Sequence, residues 1–287
     1  MQSRHNLKAA GLVVLAMALI SANDAIIKLI SESLSIGQIL LIRGIMASLL
    51  ISLLCKKRGI KIFSAELFGR WTVARAGCET MATLCFVTAL SLLPIAIAST
   101  LVWTAPIFLT LFSVIFLAER VALRRWTAVT VGFAGILLVT NPWGSEATWV
   151  MILPLAAAFM VALRDILTRK VRSGIDVAAI LLPTLLSVTL VGAALSIFDW
   201  RPVSVSHVAT LAVSALLLSG GFYSHISAVR IGELSFIAPF SYTGIISALI
   251  WGMLIWGDFP TMATYLGIAL ICASGLYILH RGGVIRR

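Results

Sequence analysis

The chain has 287 residues, 60% apolar and 11% charged, with a formal net charge of +11. A soluble globular domain carries roughly half apolar and a quarter charged residues, so this composition excludes one. It also excludes a nucleic-acid binder, because the basic residues sit between apolar runs instead of forming a basic face interleaved with aromatics.

A hydrocarbon core about 30 Å thick takes roughly 20 helical residues per crossing, and apolar runs of that length follow one another along the chain. The first covers 8–30. Its basic start, MQSRHNLK, has the look of a cleavable signal peptide, but the run continues through Asp24 to Ile30 and reads as a retained span. Further spans are expected at 36–55, 70–92, 95–117, 124–140, 148–168, 177–198, 206–228, 234–257 and 262–280. The segments between them are short and carry turn formers and charges: KKRGIK (56–61), AERVALRR (118–125), NPWGSE (141–146), TRKVRSG (168–174), DWRP (199–202) and GDFP (257–260). Pro94 and Gly232 are the main punctuation where spans three and four, and eight and nine, follow closely.

The lysines and arginines alternate with loop parity. With the N-terminus inside, inside segments hold Arg4, Lys8, Lys56, Lys57, Arg58, Lys61, Arg70, Arg120, Arg124, Arg125, Arg169, Lys170, Arg172, Arg230, Arg281, Arg286 and Arg287, and outside segments hold only Arg201. This bias places both termini in the cytoplasm, and a missed or invented span would scramble it.

The chain also aligns with itself. At an offset of 141, Asp24 meets Asp165, and Leu40 and Leu41 meet Leu181 and Leu182. At an offset of 139, Ala89 meets Ala228, Trp103 meets Tyr242, Thr104 meets Thr243, and Glu119 meets Asp258. Each half then holds five spans, and an odd number turns the second half upside down relative to the first. The expected fold is all-α integral membrane, with ten transmembrane helices as two inverted five-helix repeats over 8–140 and 149–280. Carriers of that architecture hold substrate near the midplane between halves that rock. Duplication of an inert membrane scaffold is the plainer alternative.

Ionisable groups inside spans mark a pathway or a paired structural site. Seven qualify: Asp24, Lys28, Arg43, Arg75, Glu79, Arg164 and Asp165. Asp24 with Lys28, and Arg75 with Glu79, are one helical turn apart, so each pair can neutralise itself along one helix. Either Asp24 and Glu79 face a water-filled cavity whose arginines hold an anionic or carbonyl-bearing solute, or the pairs only make polar helices tolerable in lipid. Lys28 is placed to snorkel, and Arg164 and Asp165, beside Arg169 and Lys170, read as interfacial. Trp103 and Thr104, with Tyr242 and Thr243, bring an aromatic and a hydroxyl from each half toward the axis, where they either stack on a flat ring or pack against neighbours. Trp143, Trp149, Trp200, Trp251 and Trp256 read as interfacial belt residues. Pro106, Pro154, Pro183 and Pro239 can kink their helices. Gly132, Gly135, Gly267 and Gly275 suit close packing, within one protomer or between the copies of a homodimer. Cys55, Cys78, Cys85 and Cys272 and the four histidines have no metal-ligand spacing, so no metal or other cofactor is expected.

Several stretches resemble the drug/metabolite transporter superfamily, specifically proteins with two EamA domains. They are SANDAIIK (21–28), the pair Arg43 and Gly44, LLPIAIASTLVWTAPIFLTLFSVIFLAER (92–120), WTAVTVGFAGILLV (126–139) and ELSFIAPFSYTGIISALIWGMLIWGD (233–258). The resemblance implies a ten-helix bacterial carrier of the inner (cytoplasmic) membrane, not an enzyme and without ATP hydrolysis of its own. The missing GxxxxGK[ST] loop agrees. It also implies small-metabolite substrates; the first span is similar to those of importers of riboflavin or S-adenosylmethionine. One departure is Thr184, which stands in the second half where Arg43 stands in the first.

The expected function is therefore alternating-access transport of a small metabolite, with uptake of a riboflavin-like or other cofactor-type solute preferred to export of amino acids or related metabolites. The substrate-binding or pathway candidates are Asp24, Arg43, Arg75, Glu79, Trp103, Thr104, Tyr242 and Thr243. The expected partners are a small-molecule substrate and the lipid bilayer, with no nucleic acid. A channel would want rings of polar groups along one pore, and an intramembrane enzyme a cluster of reactive groups on facing helices.

Overall fold

The computed structural model describes residues 2–60, 68–92, 101–117, 123–140, 149–257 and 262–282. All regular structure among these residues is helical. The main helices are α1 (Gln2–Ser31), α2 (Ile36–Lys57), α3 (Arg70–Leu92), α4 (Ala105–Leu117), α5 (Leu123–Thr140), α6 (Ile152–Lys170), α7 (Val177–Ser196), α8 (Val205–Ile231), α9 (Thr243–Trp256) and α10 (Met262–Gly282). The fourth expected span is described from residue 101 onward, and Pro94, Glu119, Trp143, Asp258 and the terminal arginines Arg286 and Arg287 lie outside the described residues.

Six segments are long and apolar enough to cross a bilayer: Arg4–Ser31, Ile36–Lys57, Trp149–Lys170, Val177–Ser196, Val205–Ile231 and Leu234–Trp256. Ala105–Leu117, Trp126–Leu138 and Tyr265–Ser274 are shorter apolar stretches. The 23-residue α3 has the length but not the composition, because Arg70, Arg75 and Glu79 occupy its first half. A water-soluble protein would cover its large apolar side chains. Here Leu15, Leu49, Leu53, Ile115, Leu190, Leu216 and Leu254 are exposed, as a lipid-facing surface requires.

The helix ends are set by local chemistry. Ser35 caps α2 in a reciprocal box with Gln38, and Asp176 caps α7 through the Ala178 amide at 2.8 Å. Gly257 ends α9 in the left-handed conformation that favours glycine, at φ 70°. The expected proline kinks take another form. Of the four prolines, only Pro183 lies inside its helix. Pro106 and Pro154 stand in the first turns of α4 and α6, where no intrahelical bond is lost. Pro239 lies in a 3₁₀ turn, Ala238–Tyr242, that joins the helical turn Leu234–Ile237 to α9.

The most extensive helix contacts are α2 with α7, α1 with α8, α3 with α6 and α5 with α10. Next come α1 with α9, α4 with α6, α2 with α8 and α3 with α7. Small residues let the backbones meet. A methyl at Gly192 of α7 would lie 2.7 Å from the Leu41 backbone nitrogen of α2, and one at Gly135 of α5 would lie 2.7 Å from the Gly267 carbonyl of α10. The α5 and α10 glycines at these positions thus pack within one chain.

Candidate functional site

Two polar clusters interrupt the apolar interior, one toward each end of the bundle. The first lies toward the end where α1 stops at Ser31. Asn23 is its hub: its side-chain oxygen accepts from Arg43 Nη1 at 3.0 Å and from Ser214 Oγ at 2.7 Å. Its amide donates to Asp24 Oδ1 at 3.0 Å. Asn23 and Arg43 are buried, at 1% and 6% exposure, and Arg43 Nε has no partner. Asp24 is exposed.

That exposure is not to lipid. Asp24 is nine residues beyond the exposed Leu15, which at about 100° per residue puts it on the opposite face of α1. It shares its face with Met17, two turns earlier, which is buried in the core against α4, α8 and their neighbours. The face is thus closed at Met17 and open at Asp24. Lys28 lies one turn further out with its ammonium 4.4 Å from the Trp256 ring centroid, rather than folded back as a partner for Asp24.

The second cluster lies toward the opposite end, its charged groups about 7–14 Å in from where α3 begins and α6 and α8 stop. Arg164 donates through Nη1 to Glu79 Oε2 at 2.5 Å and through Nε to Asp165 Oδ1 at 2.9 Å. His225 Nε2 lies 2.9 Å from Asp165 Oδ2 and 3.3 Å from Arg164 Nη2, and its Nδ1 has no partner. Arg75 donates through Nε to Thr168 Oγ1 at 2.9 Å and through Nη1 to Thr184 Oγ1. All of these side chains are buried. Two guanidinium and two carboxylate groups thus stand together and offset one another, which is how four such charges can stand in a low-dielectric interior.

The intrahelical pairing expected for Arg75 and Glu79 gives way to pairing across helices. Arg164 and Asp165, expected at the interface, are buried because α6 continues past them to Lys170 and packs along α3. His225 was not visible as a candidate: one histidine in an apolar run carries no spacing signal. The trace that could have found it is the requirement that buried charges on α3 have partners on another helix.

The aromatic candidates sit between the clusters. Tyr242 is fully buried with Ile136, Ile245 and Ile271, and its hydroxyl donates to the Val129 carbonyl at 3.4 Å. Trp103 is half-buried, and its ring occupies the space a side chain at Gly244 would need. Thr104 and Thr243 each donate at 2.7 Å to the carbonyl three residues earlier, Leu101 and Phe240, at the breaks that precede α4 and α9. Trp149 and Trp200 are exposed near helix ends, whereas Trp251 and Trp256 are half-buried. Among the described residues no group of histidine, cysteine and carboxylate side chains could hold a metal ion.

Residues 7–141 match the EamA-like transporter family. That match covers just under half of the chain. With six helices among the described residues long and apolar enough to cross a bilayer, the match fits a multi-pass membrane protein. This EamA-like chain is 27% identical over 179 residues to a riboflavin transporter of Vibrio cholerae, matching 62% of this chain and 60% of that one, under two thirds of its length. It is 27% identical over 275 residues to a pseudopaline exporter of Pseudomonas aeruginosa, matching 92% of this chain and 93% of that one. A solved crystal structure superposes with a TM-score of 0.80 over 100% of both chains at 15% identity, which speaks to the fold.

Proposed function

We propose that this chain is a secondary carrier that moves a small metabolite across the bacterial inner (cytoplasmic) membrane by alternating access, with ten crossings in two inverted five-helix halves and both termini in the cytoplasm. The observation that carries this reading is the pair of polar clusters: the one at the Ser31 end leaves Asp24 exposed, and the one at the far end is closed by buried ion pairs. A carrier must close one end while the other is open.

The helix pairing supports inverted halves. Exchanging each helix of α1–α5 with its counterpart in α6–α10 turns α1 with α8 into α6 with α3, α2 with α8 into α7 with α3, and α1 with α9 into α6 with α4, all of which are in contact. The α2–α7 and α5–α10 pairs map onto themselves. The clusters map too. An offset of 141 relates Asn23 to Arg164, Asp24 to Asp165 and Arg43 to Thr184, and an offset of 139 relates Arg75 to Ser214. Arginine and hydroxyl have thus changed places: α2 supplies the arginine at one end and α3 at the other. This accounts for the missing counterpart of Arg43.

In this reading the basic end, with Lys56, Lys57, Arg58, Arg169, Lys170 and Arg172, is cytoplasmic and the Asp24 end faces outward. Asp24 and Arg43 meet the solute, Arg75 and Glu79 belong to the inner closure, and Trp103, Thr104, Tyr242 and Thr243 border the path between them at the breaks before α4 and α9. Uptake of a riboflavin-like or other cofactor-type solute is favoured by the likeness to the Vibrio cholerae riboflavin transporter. Export of amino acids or related metabolites is the second reading, favoured by the longer match to the Pseudomonas aeruginosa exporter.

Counterflow in proteoliposomes tests the carrier reading. Saturable uptake accelerated by the same solute inside is expected, and it should fall in Glu79→Gln. Flux rising linearly with concentration would make the protein a channel, and no flux across a broad metabolite panel would remove the transport reading for this chain.

A further inference from the structure

Resting on the carrier reading, we propose that Asp24, Asn23 and Arg43 form a substrate subsite for net-neutral solutes that present an ammonium or N–H donor beside a carboxylate or carbonyl acceptor.

Asn23 stands between the two charges, taking Arg43 Nη1 on its oxygen and giving its amide to Asp24 Oδ1, so guanidinium and carboxylate share one amide instead of closing on each other. Ser214 Oγ donates to the same Asn23 oxygen and fixes the amide orientation. Arg43 therefore keeps donor capacity, including the unpartnered Nε of a side chain only 6% exposed. Among the described residues Asp24 keeps an oxygen with no protein partner, and its side chain is exposed. An unmet donor next to an unmet acceptor is completed by a solute carrying the opposite pair.

The charge balance sets the class. Asp24 and Arg43 cancel, and Lys28 lies one turn further out over the Trp256 ring. A zwitterion or an uncharged imide leaves that balance intact, whereas a net anion or cation leaves an uncompensated charge beside the buried Arg43. An amino-carboxylate and a flavin-type imide share this donor–acceptor chemistry, so the test carries both.

Thermal stabilisation of the purified protein is read with two probe series: leucine, 4-methylpentanoate and 3-methylbutylamine; then riboflavin and riboflavin 5′-phosphate. In the series that binds, the net-neutral member should bind at least about tenfold more tightly than its charged analogues. Asp24→Asn should move preference toward the anionic member and Arg43→Gln toward the cationic one. Charged members binding wild type equally well, or an order unchanged in both variants, would overturn the subsite.

A second arm needs no substrate. Asp24→Cys, made in a chain whose four native cysteines are replaced by serine, is treated with small anionic and cationic methanethiosulfonates. The anionic reagent should react about tenfold faster because Arg43 is left unbalanced, and adding Arg43→Gln should remove most of that ratio. Equal rates, or no reaction from either side of the membrane, would also overturn the proposal. If counterflow succeeds while both arms fail, the carrier stands without this subsite; if both arms succeed without flux, the subsite stands and the carrier falls.

Discussion

At the residue scale the closed cluster is the most demanding feature of the molecule. Arg164 is held by Glu79 and Asp165, and a buried charge that loses one partner costs about 3–5 kcal/mol. Glu79→Gln should therefore lower the unfolding temperature in detergent by several degrees. The double variant Glu79→Gln with Arg164→Gln should lose clearly less than the two single losses added together. Strict additivity in that cycle would mean that the pair is not coupled. The charged residues were legible in the sequence as costly groups inside spans, but their partners were not. Spacing along one helix suggests Arg75 with Glu79; Arg75 instead turns to Thr168 and Thr184, a choice fixed by how α3 lies on α6 and α7.

At the element scale the sequence places the helices well, since each apolar run is mostly helical where it is described, with breaks before α4 and α9. It misjudges the prolines, because a proline spacing cannot tell an interior kink from a first turn, and three of the four fall at starts or breaks. Contact between helices depends on small residues whose neighbours the sequence does not reveal. A methyl at Gly192 would meet Leu41 backbone, which cannot swing aside as a side chain can. Gly192→Ala should separate α2 from α7 at a cost of about 1–3 kcal/mol, read as a lower midpoint of thermal unfolding. Unchanged stability would show that the helices can separate freely. Trp103→Ala should cost about 3–5 kcal/mol if the ring is chiefly packing on Gly244. A rise in KM at unchanged stability would instead place the ring against solute.

At the scale of the whole molecule, the proposed inverted repeat rests mainly on counting: five apolar runs, then five more, with basic residues sorted by parity. Residue identity between the halves is faint, because the helices that must match in shape do not have to match in side chain. The exchange of Arg43 and Thr184 for Ser214 and Arg75 is an example: the polar function is kept at each end while the helix that supplies its arginine changes. An odd number of crossings per half is the condition for one half to be the inverse of the other, and it makes the total even. Reporter fusions at the two chain ends and at each intervening loop measure this directly. The account predicts both ends in the cytoplasm and ten alternations between them; ends on opposite sides of the membrane, or nine crossings, would contradict it.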